Sequence, residues 1–213
     1  MDKKYWDKFY KNNGKMDDII QCSTFAHFCL EKFFNQGVKN IVELGSGNGR
    51  DAIYFARHAL NTIAIDQSII AIAIEKEELD DSVSKYLHPR ALNFVSEDYF
   101  HYDSIDIFYS RFTIHAITKK DEEELLPKIY KALNKGGLFC VEARTTKDPL
   151  YGVGEYCGDN TYTTDHKRRF INSEKFISTV LSLGFKLLYF TEEDNLSVCK
   201  NDNPVLMRIV LEK

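Results

Sequence analysis

Cysteine, proline and glycine are all scarce in this sequence, and each scarcity excludes a class of protein. The 213 residues include 5 Cys, 4 Pro and 11 Gly. The cysteines are too few and too scattered for a disulfide scaffold, and none of them forms a Cys-x-x-Cys pair with metal-ligand spacing. Too little glycine and proline is present for a collagen-like chain. We therefore expect a globular protein of the reducing cytoplasm that binds no metal.

Long apolar runs and an excess of positive charge are also missing. No window reaches the roughly 18 apolar residues that a membrane span requires, and the first residues lack the apolar core of a signal peptide. With 28 Lys and Arg against 32 Asp and Glu, the formal net charge is -4. Such a chain has no global positive field to attract a nucleic-acid backbone. We expect neither a membrane span nor a nucleic-acid partner, and the oligomeric state stays open.

The chain does contain enough apolar residues for one domain over residues 1–213, because 44% of them are hydrophobic and 13% are aromatic. Apolar runs alternate with segments of helical spacing, which predicts an α/β fold: a mostly parallel sheet with helices on both faces. The predicted strands are 40–44, 62–66, 93–95, 105–109 and 138–144, and the predicted helices are 51–58, 68–84 and 121–133. Near the end, the runs 185–191 and 204–211 predict an antiparallel hairpin.

Two regions fall outside this alternation. Residues 1–36 are aromatic and helix-like, and Tyr10 and Phe25 within them could either pack into the core or belong to a lid over a ligand. Residues 145–172 form a long connection that holds several glycines and tyrosines. Connections of this length inside a compact domain are usually functional or mobile. Its Tyr151 could line an acceptor pocket, or the loop could be packed by its own aromatic residues.

A glycine-rich turn joins the first predicted strand to the first predicted helix, at the edge where α/β sheets bind ligands. Its sequence is Glu43-Leu44-Gly45-Ser46-Gly47-Asn48-Gly49. This is Gly-x-Gly-x-Gly rather than the dinucleotide fingerprint Gly-x-Gly-x-x-Gly, because Arg50 stands at the place of the third glycine. A bulky Arg50 and an acidic Glu43 disfavour a pyrophosphate at this helix N-terminus. The Glu43 carboxylate instead suits a cationic amine.

Two more carboxylates follow the next two predicted strands. Asp66 ends the second strand, where an acidic side chain can accept hydrogen bonds from both hydroxyls of a ribose. Asp98 follows the third strand and could take an adenine amino group, with Tyr99 or Phe100 against the ring. Together with Glu43, these residues describe a ligand that carries an amine, a ribose and an adenine.

The ordered set of motifs resembles that of the class I S-adenosylmethionine-dependent methyltransferases. The resemblance extends from about residue 38 to the end of the chain. It implies a three-layer Rossmann-like fold with a seven-stranded sheet in the order 3-2-1-4-5-7-6, S-adenosyl-L-methionine as cofactor and S-adenosyl-L-homocysteine as product. The cofactor-binding residues that it implies are Glu43, Gly45, Ser46, Gly47, Gly49, Asp66, Gln67, Asp98, Tyr99 and Arg111, with Tyr10 and Phe25 from a helical lid over residues 1–36.

Several subclasses of the family are not matched. The chain has no Asn-Pro-Pro-Tyr tetrad after the fourth strand, no cysteine pair for attack on a pyrimidine and no carboxylate cluster for magnesium. O- or N-methylation of a small polar, anionic acceptor is left, with O-methylation favoured. Segments 109–117, 142–144 and 164–170 resemble the small methyltransferases of bacterial capsule and surface-glycan biosynthesis, including those that form an O-methyl phosphoramidate.

The candidate general bases are His115 and His166, because an imidazole titrates near neutral pH. His115 could instead bond the backbone at a helix start, and His166 could be solvated surface. The candidate acceptor ligands are Arg144, Tyr151, Arg168 and Arg169, since guanidinium groups clamp anions with paired hydrogen bonds.

Each arginine has an alternative interpretation. Arg144 could form an internal ion pair with Glu142, and Arg168 and Arg169 could belong to a solvated basic face. Arg111 could bind either the acceptor or the carboxylate of the cofactor. Two other functions stay open: a non-catalytic module that binds S-adenosylmethionine, and a nicotinamide-dependent oxidoreductase built on the same kind of sheet.

Overall fold

The computed structural model describes residues 3–13, 21–34, 37–77, 79–102 and 104–213. The predicted lid over residues 1–36 therefore lies partly outside the described residues, as does the side chain of Phe100. In chain order the elements are α1 (Lys3–Asn13), α2 (Thr24–Lys32), β1 (Asn40–Leu44), α3 (Arg50–Arg57), β2 (Asn61–Asp66), α4 (Ile69–Glu77), α5 (Asp81–Ser84), β3 (Leu87–Ala91), β4 (Ile105–Arg111), α6 (Lys119–Ala132), β5 (Leu133–Arg144), β6 (Glu155–Tyr156), β7 (Thr161–Thr163), β8 (Lys167–Arg169), α7 (Ser173–Ser182), β9 (Lys186–Glu193) and β10 (Leu206–Glu212).

Seven of these strands form one sheet in the order β3-β2-β1-β4-β5-β10-β9. The first five strands are parallel, whereas β10 runs antiparallel to both β5 and β9. With β9 and β10 as the sixth and seventh strands of this sheet, the order confirms the predicted 3-2-1-4-5-7-6. Strand order reverses between β1 and β4, so the carboxyl ends of these two strands flank the crevice where such sheets bind ligands.

The third strand lies elsewhere than predicted. Leu87–Ala91 pairs with β2, whereas 93–95 belongs to the turn that follows. Pro89 hides the strand from pattern analysis, but it is tolerated because β3 is at the edge of the sheet. The Asn93 side chain accepts a hydrogen bond from the Val95 backbone N–H (3.0 Å), and the side chain of Phe94 in this turn is buried in the core. Its apolar character therefore reflects burial rather than strand pairing.

The helices differ from the prediction in two places. The predicted helix 68–84 is divided into α4 and the short α5, which begins after Asp80 because that carboxylate caps the backbone N–H groups of Ser82 and Val83. Helix α7 was not predicted, although Phe176 and Val180 are spaced by four residues and both are buried. Among the described helices, none is long and apolar enough to cross a bilayer.

Helices cover both faces of the sheet. On one face, α6 and α7 pack their apolar side chains against the central strands, including Leu125, Leu126 and Phe176. On the other face, Phe25 of α2 and Phe55 of α3 pack on the ring of Tyr109 in β4, with ring centroids 5.3 and 5.1 Å apart. Both sides of the central strands are therefore buried, which leaves the ends of these strands as the accessible edges of the sheet.

The long connection 145–172 forms a small sheet of its own. Strands β6, β7 and β8 are antiparallel neighbours in that order. Tyr151 packs against Tyr162 (5.4 Å between ring centroids) and Phe170 (5.7 Å), so the aromatic residues of the connection contact one another. The backbone of β8 then returns towards the main sheet, because the Ile171 N–H donates to the carbonyl of Arg144 at the end of β5 (3.0 Å).

Candidate cofactor and acceptor sites

The glycine turn between β1 and α3 has a backbone that side chains would obstruct. Gly45, Gly47 and Gly49 all have positive φ angles, of 75°, 60° and 82°. A Cβ atom at Gly45 would collide with Thr113, one at Gly47 with the Tyr10 hydroxyl, and one at Gly49 with Glu75. Glycine is thus required here both for conformation and for space. The turn leaves bare backbone at the carboxyl edge of the sheet.

Asp66 fixes this turn from the end of β2. Its Oδ2 accepts the Gly47 backbone N–H (3.0 Å) and its Oδ1 accepts the Ser68 N–H (2.8 Å). Burial raises the pKa of Asp66, although these two backbone donors act in the opposite direction. Because a carboxylate has further acceptor sites beyond two hydrogen bonds, Asp66 can hold the turn and still accept from a ligand.

Two more buried carboxyl groups flank the turn. Glu43 is 4% exposed and Glu75 is completely buried. Burial raises the pKa of both well above the ordinary value, and their mutual repulsion adds to the rise for Glu43. Oε2 of Glu43 and Oε1 of Glu75 have no hydrogen-bond partner, whereas Glu75 Oε2 accepts from Ser46 Oγ (3.3 Å). A cationic group beside Glu43 would donate a hydrogen bond to its unpartnered Oε2 and would favour the ionised carboxylate.

Helix α1 covers the glycine turn. The Tyr10 hydroxyl approaches Gly47, and burial together with the nearby Asp66 and Glu43 carboxylates raises the pKa of that hydroxyl. At the same helix, Asp7 accepts a hydrogen bond from Ser68 Oγ (2.6 Å), directly after β2. The predicted lid residue Tyr10 therefore lies within the same pocket as Glu43 and Asp66.

The other predicted cofactor residues are more dispersed. Gln67 follows Asp66 and its Nε2 is buried without a hydrogen-bond partner. Asp98 has an exposed side chain that pairs with His101 (3.3 Å), on the rim beyond β3. The Tyr99 ring is buried, with its hydroxyl donating to the Phe94 carbonyl (2.5 Å), so it packs in the core. Phe25 lies in the core beneath the pocket, stacked on Tyr109.

Asp51 is a buried acidic residue that the sequence analysis did not assign. It is 2% exposed and accepts three hydrogen bonds: from Ser23 N (2.6 Å), Ser23 Oγ (2.8 Å) and the Tyr109 hydroxyl (2.9 Å). Its charge contributes to the raised pKa of Glu43. Asp51 thus ties the start of α2 to α3 and β4. Its position directly after the glycine turn was the available signal.

A buried triad of charged residues crosses the ends of β4, β5 and β10. The fully buried Glu142 carboxylate pairs with Arg111 Nε (2.9 Å) and Arg208 Nε (2.6 Å). Arg208 was not identified from the sequence, although it stands alone among apolar residues of a strand and is the register partner of Glu142. Arg111 also donates to Ser197 Oγ (2.7 Å). These contacts hold Arg111 at the border between the cofactor pocket and the residues that follow β5.

Phe112 lies at the centre of this border. It has a positive φ angle of 59°, which is costly for a bulky residue and is found mainly at functional sites. The Arg111 guanidinium lies 4.3 Å from its ring centroid, the Arg144 guanidinium 6.0 Å, and the His115 ring 5.4 Å. The Phe112 ring therefore contacts Arg111, which borders the cofactor pocket, and also Arg144 and His115, which belong to the predicted acceptor site.

His115 is buried at the start of the short helix Ile114–Ala116, after β4. Its Nδ1 accepts the Arg144 backbone N–H (3.1 Å). Burial, with the positive charges of Arg144, Arg168 and Arg169, holds the pKa of His115 well below its ordinary value. A neutral imidazole whose Nδ1 is an acceptor carries its proton on Nε2. The geometry therefore favours a hydrogen-bond donor at Nε2 over the predicted general base.

His166 has the opposite arrangement. Its Nδ1 lies 3.0 Å from Asp165 Oδ2, and its side chain is 11% exposed. The two atoms are within ion-pair distance, but Nδ1 makes no hydrogen bond to any described residue, so this contact does not fix which nitrogen carries the proton. Burial and Arg168 lower the pKa of His166, against the raising effect of Asp165. A histidine beside an aspartate is one arrangement that general bases use, so His166 stays a candidate for that role.

The predicted acceptor arginines have different surroundings. Arg144 pairs with Asp148 (2.9 Å) and with Asp202, rather than with Glu142 as the alternative interpretation had it. Arg169 is buried, where it pairs with Glu122 (2.6 Å) and donates to the carbonyls of Ile114 and Ile117. It is therefore an internal contact and not part of a solvated basic face, and its substrate role stays a prediction without support from its position.

Arg168 is the acceptor arginine with the loosest internal contact. Its side chain is 14% exposed and reaches Asp165 Oδ1 only at 3.9 Å. Burial and the nearby Arg144 charge lower its pKa, which indicates that the two guanidinium groups are close together. Tyr151, in contrast, is exposed and donates to Asn160 Oδ1 (3.1 Å), within the aromatic packing of the long connection. Arg168 is thus better placed than Tyr151 to contact an anion beside His166.

Comparison with known proteins identifies the central part of the chain. Residues 41–137 match the family model of a methyltransferase domain. An uncharacterized methyltransferase of Bacillus mycoides is 26% identical over 137 residues, which cover 62% of this chain and 60% of that protein. The chain thus spans about 60% of the length of this relative, and its residues 41–137 are similar to methyltransferase domains. A Geobacillus protein named as a methyltransferase matches this chain with 22% identity over 194 residues, 90% of this chain and 74% of that protein.

Solved structures show the same fold. The glycopeptide N-methyltransferase MtfA in complex with S-adenosyl-L-homocysteine aligns with a TM-score of 0.70 at 12% identity, covering 97% of this chain and 96% of that one. At this identity the likeness concerns the architecture, and the substrate of MtfA is a property of that protein. The methyltransferase domain here shares the Rossmann-like sheet whose order was given above.

The pocket of this methyltransferase fits S-adenosyl-L-methionine. Its cationic amino group matches the orphaned buried oxygen of Glu43, and its ribose hydroxyls match Asp66 at the end of β2. The bare turn at Gly45, Gly47 and Gly49 provides the space that side chains would fill. The buried Gln67 Nε2 is a donor still in need of an acceptor, such as a ligand oxygen.

Proposed function

We propose that the methyltransferase transfers a methyl group to a hydroxyl oxygen of a small anionic acceptor, with His166 as general base. The observation that carries this proposal is the Asp165–His166 pair at 3.0 Å, with the partly free Arg168 guanidinium next to it. A neutral hydroxyl needs a base to become a good nucleophile, whereas an oxygen that is already anionic does not. A histidine oriented by a carboxylate therefore favours a hydroxyl acceptor.

Each residue has a distinct part in this mechanism. The bound cofactor supplies an electrophilic methyl group on a sulfonium. His166 would accept the proton of the acceptor hydroxyl as that oxygen takes the methyl group, and the nearby Asp165 would stabilise the resulting imidazolium. Glu43 and Asp66 hold and orient the donor. In-line alignment of the oxygen, carbon and sulfur contributes about 7–11 kcal/mol to such reactions.

The anionic part of the acceptor would bind beside the base. Arg168 offers a guanidinium with only a long contact to Asp165, and His115 offers an Nε2–H donor in a region that Arg144 makes positive. Guanidinium groups bind phosphates and carboxylates through two parallel hydrogen bonds. A phosphorylated or carboxylated sugar with a free hydroxyl has the required chemistry, and a precursor of a capsular or surface glycan belongs to this class.

Two alternatives predict different behaviour. O-methylation of a phosphoramidate uses an oxygen that is already anionic, so the rate would not depend on His166. N-methylation of a small molecule would use the lone pair of a neutral amine. The likeness to the glycopeptide N-methyltransferase MtfA keeps this second alternative in view. We further propose that α1 closes over the cofactor and that the connection 145–172 supplies acceptor contacts.

A labelled methyl donor tests the proposal. The purified full chain is incubated with [methyl-³H]S-adenosylmethionine and four acceptor panels: sugar phosphates, hydroxy acids, phosphoramidates and primary amines. We expect transfer to a hydroxyl compound that carries an anion, with kcat lowered at least about 100-fold in His166→Gln. Arg168→Ala should raise KM for that acceptor about tenfold, and Arg168→Lys should recover only part of the loss.

The matched control is His101→Gln, because the His101 side chain is 83% exposed and also lies beside an aspartate. This variant should retain the wild-type rate. Transfer that is confined to phosphoramidates and unaffected by His166→Gln would establish the anionic-oxygen alternative. Tight binding of S-adenosylhomocysteine without transfer to any panel would favour a non-catalytic binding module.

A further inference from the structure

Helix α1 contacts both halves of the site through different residues. At the cofactor half, Asp7 accepts from Ser68 Oγ (2.6 Å) and the Tyr10 hydroxyl lies against Gly47. At the acceptor half, the Tyr5 hydroxyl donates to Asp165 Oδ2 (3.2 Å). Tyr5 and Tyr10 are five residues apart on one helix, which corresponds to a rise of about 7.5 Å. A single rigid element therefore joins the donor loop to the acceptor base.

Tyr5 contacts both members of the proposed catalytic pair. Besides its hydrogen bond to Asp165, its ring stacks on the His166 imidazole with centroids 4.3 Å apart and an interplanar angle of 23°. Trp6 approaches the same imidazole edge-on at 5.8 Å. The two rings cover a histidine that would otherwise face solvent beside a carboxylate that is 61% exposed. Such contacts fix both the rotamer and the hydration of the imidazole.

We propose that Tyr5 is a positioning residue that orients the Asp165–His166 pair and makes it depend on the closure of α1 over the cofactor. This inference rests on the proposed function of His166. The Tyr5 hydroxyl stays a donor at all physiological pH values, because burial and the Asp165 charge raise its pKa to about 12. Contacts of α1 at Ser68 and Gly47 thereby help to determine whether the base is held in place.

Loss of the Tyr5 ring has a defined effect on the base. The groups that face His166 are Asp165 and Arg168 on its own segment, Arg144 from β5, His115 from the segment after β4, and Tyr5 and Trp6 from α1. Burial is the largest cause of the lowered pKa of His166. Without the stacked ring, water reaches the imidazole and its pKa rises towards the ordinary value. The base is then protonated at a pH where it was free.

The test is an NMR titration of the His166 imidazole in the full chain, with S-adenosylhomocysteine as the probe. In Tyr5→Ala we expect the His166 pKa to rise by roughly half a unit to one unit, a shift within the usual spread for histidines in proteins. Tyr5→Phe retains the ring and should shift it less. In the wild type, addition of S-adenosylhomocysteine should also change the His166 resonances, and this response should vanish in Tyr5→Ala.

Lys8→Ala is the matched control, because Lys8 is an exposed residue of the same helix. It should leave both the titration and the response to S-adenosylhomocysteine unchanged. An unchanged His166 pKa in Tyr5→Ala would overturn the positioning role, whatever the activity. If His166→Gln retained full methyl transfer, the proposed base would be wrong, but the titration would still decide whether Tyr5 positions the imidazole. The two failures are therefore distinguishable.

Discussion

The cofactor pocket and the acceptor region of this protein differ in their ionisable groups. Around the glycine turn, the buried ionisable groups are mainly the carboxyls of Glu43, Asp51, Asp66 and Glu75. Beyond β4 and β5, the corresponding groups are His115, His166, Arg144 and Arg168, and the two arginines lie beside the carboxylates of Asp148, Asp165 and Asp202. The formal net charge of -4 gives no indication of this division. Charge at a site is determined by which side chains the fold gathers, and two neighbouring sites can have opposite signs.

This difference corresponds to the ligands that the two regions would bind. A cationic donor is stabilised by the carboxyl groups of the first region, whereas an anionic acceptor is stabilised by the second. Because Phe112 contacts Arg111, Arg144 and His115, the two regions meet at one ring. Three predictions test this comparison, in order of decreasing expected effect: a change in the ion pairs around Phe112, a change in the cofactor pocket, and a change in the protonation of that pocket.

The largest effect should come from the border triad. Glu142→Gln leaves the buried Arg111 and Arg208 guanidinium groups without their shared counter-charge, and we expect it to lower the free energy of unfolding by about 3–5 kcal/mol. Urea denaturation measures this change. The control is Glu212→Gln, which removes a more exposed pair with Lys186 and should cost about 0–1 kcal/mol. Equal losses in both variants would mean that the triad does not stabilise the border.

A smaller effect is expected from Asp66→Ala. This change removes the acceptor of the Gly47 and Ser68 N–H groups as well as the ribose ligand, so affinity for S-adenosylhomocysteine should fall about 100-fold. Isothermal titration calorimetry gives the dissociation constants. Asp98→Ala is the comparison, and because the Asp98 side chain is exposed we expect this change to weaken the affinity less than about tenfold. A larger loss for Asp98 than for Asp66 would place the binding energy outside the glycine turn.

The smallest effect concerns protonation of the acidic region. The pKa of Glu75 is raised in the folded chain, so the folded state holds this proton more tightly than the unfolded state does. The associated stability is present below the ordinary carboxyl pKa and is lost as the pH rises through the raised value. The difference in unfolding free energy between wild type and Glu75→Gln should therefore turn against the wild type from pH 5 to pH 8. Urea titrations at several pH values measure it.

For this pH series the control is Glu77→Gln, because Glu77 is an exposed carboxylate on the same helix. This comparison separates the loss of a buried carboxyl from the loss of an exposed one on the same helix. A pH-independent difference for Glu75→Gln would mean that the Glu75 carboxyl is ionised at no cost in the folded chain. The same series with S-adenosylmethionine present should show a weaker dependence, since a cationic ligand favours the ionised carboxyls.

Local pattern was sufficient for the frame of the cofactor pocket. The periodicity of the strands and helices, the glycine turn and Asp66 can all be recognised from residues that are close together along the chain. This periodicity predicts the mostly parallel sheet with its terminal hairpin. The prediction was wrong at β3. Pro89 interrupts the apolar character of the true strand, and the buried Phe94 gives the following turn the apolar character of a strand. An edge strand tolerates such a residue, and a one-dimensional pattern cannot distinguish burial in a turn from burial in a strand.

The amino-acid sequence by itself determined the alternation of strands and helices, the terminal hairpin, the bare glycine turn and the carboxylate at the end of β2, because each depends on residues close together along the chain. The order of the strands was implied only by the family resemblance. Only the tertiary structure decided which charges pair. Arg169 meets Glu122 across 47 residues, and Arg208 meets Glu142 across 66. It also decided that Tyr5 lies on His166. A buried charge takes the partner that the packing brings to it, and no local periodicity encodes that contact.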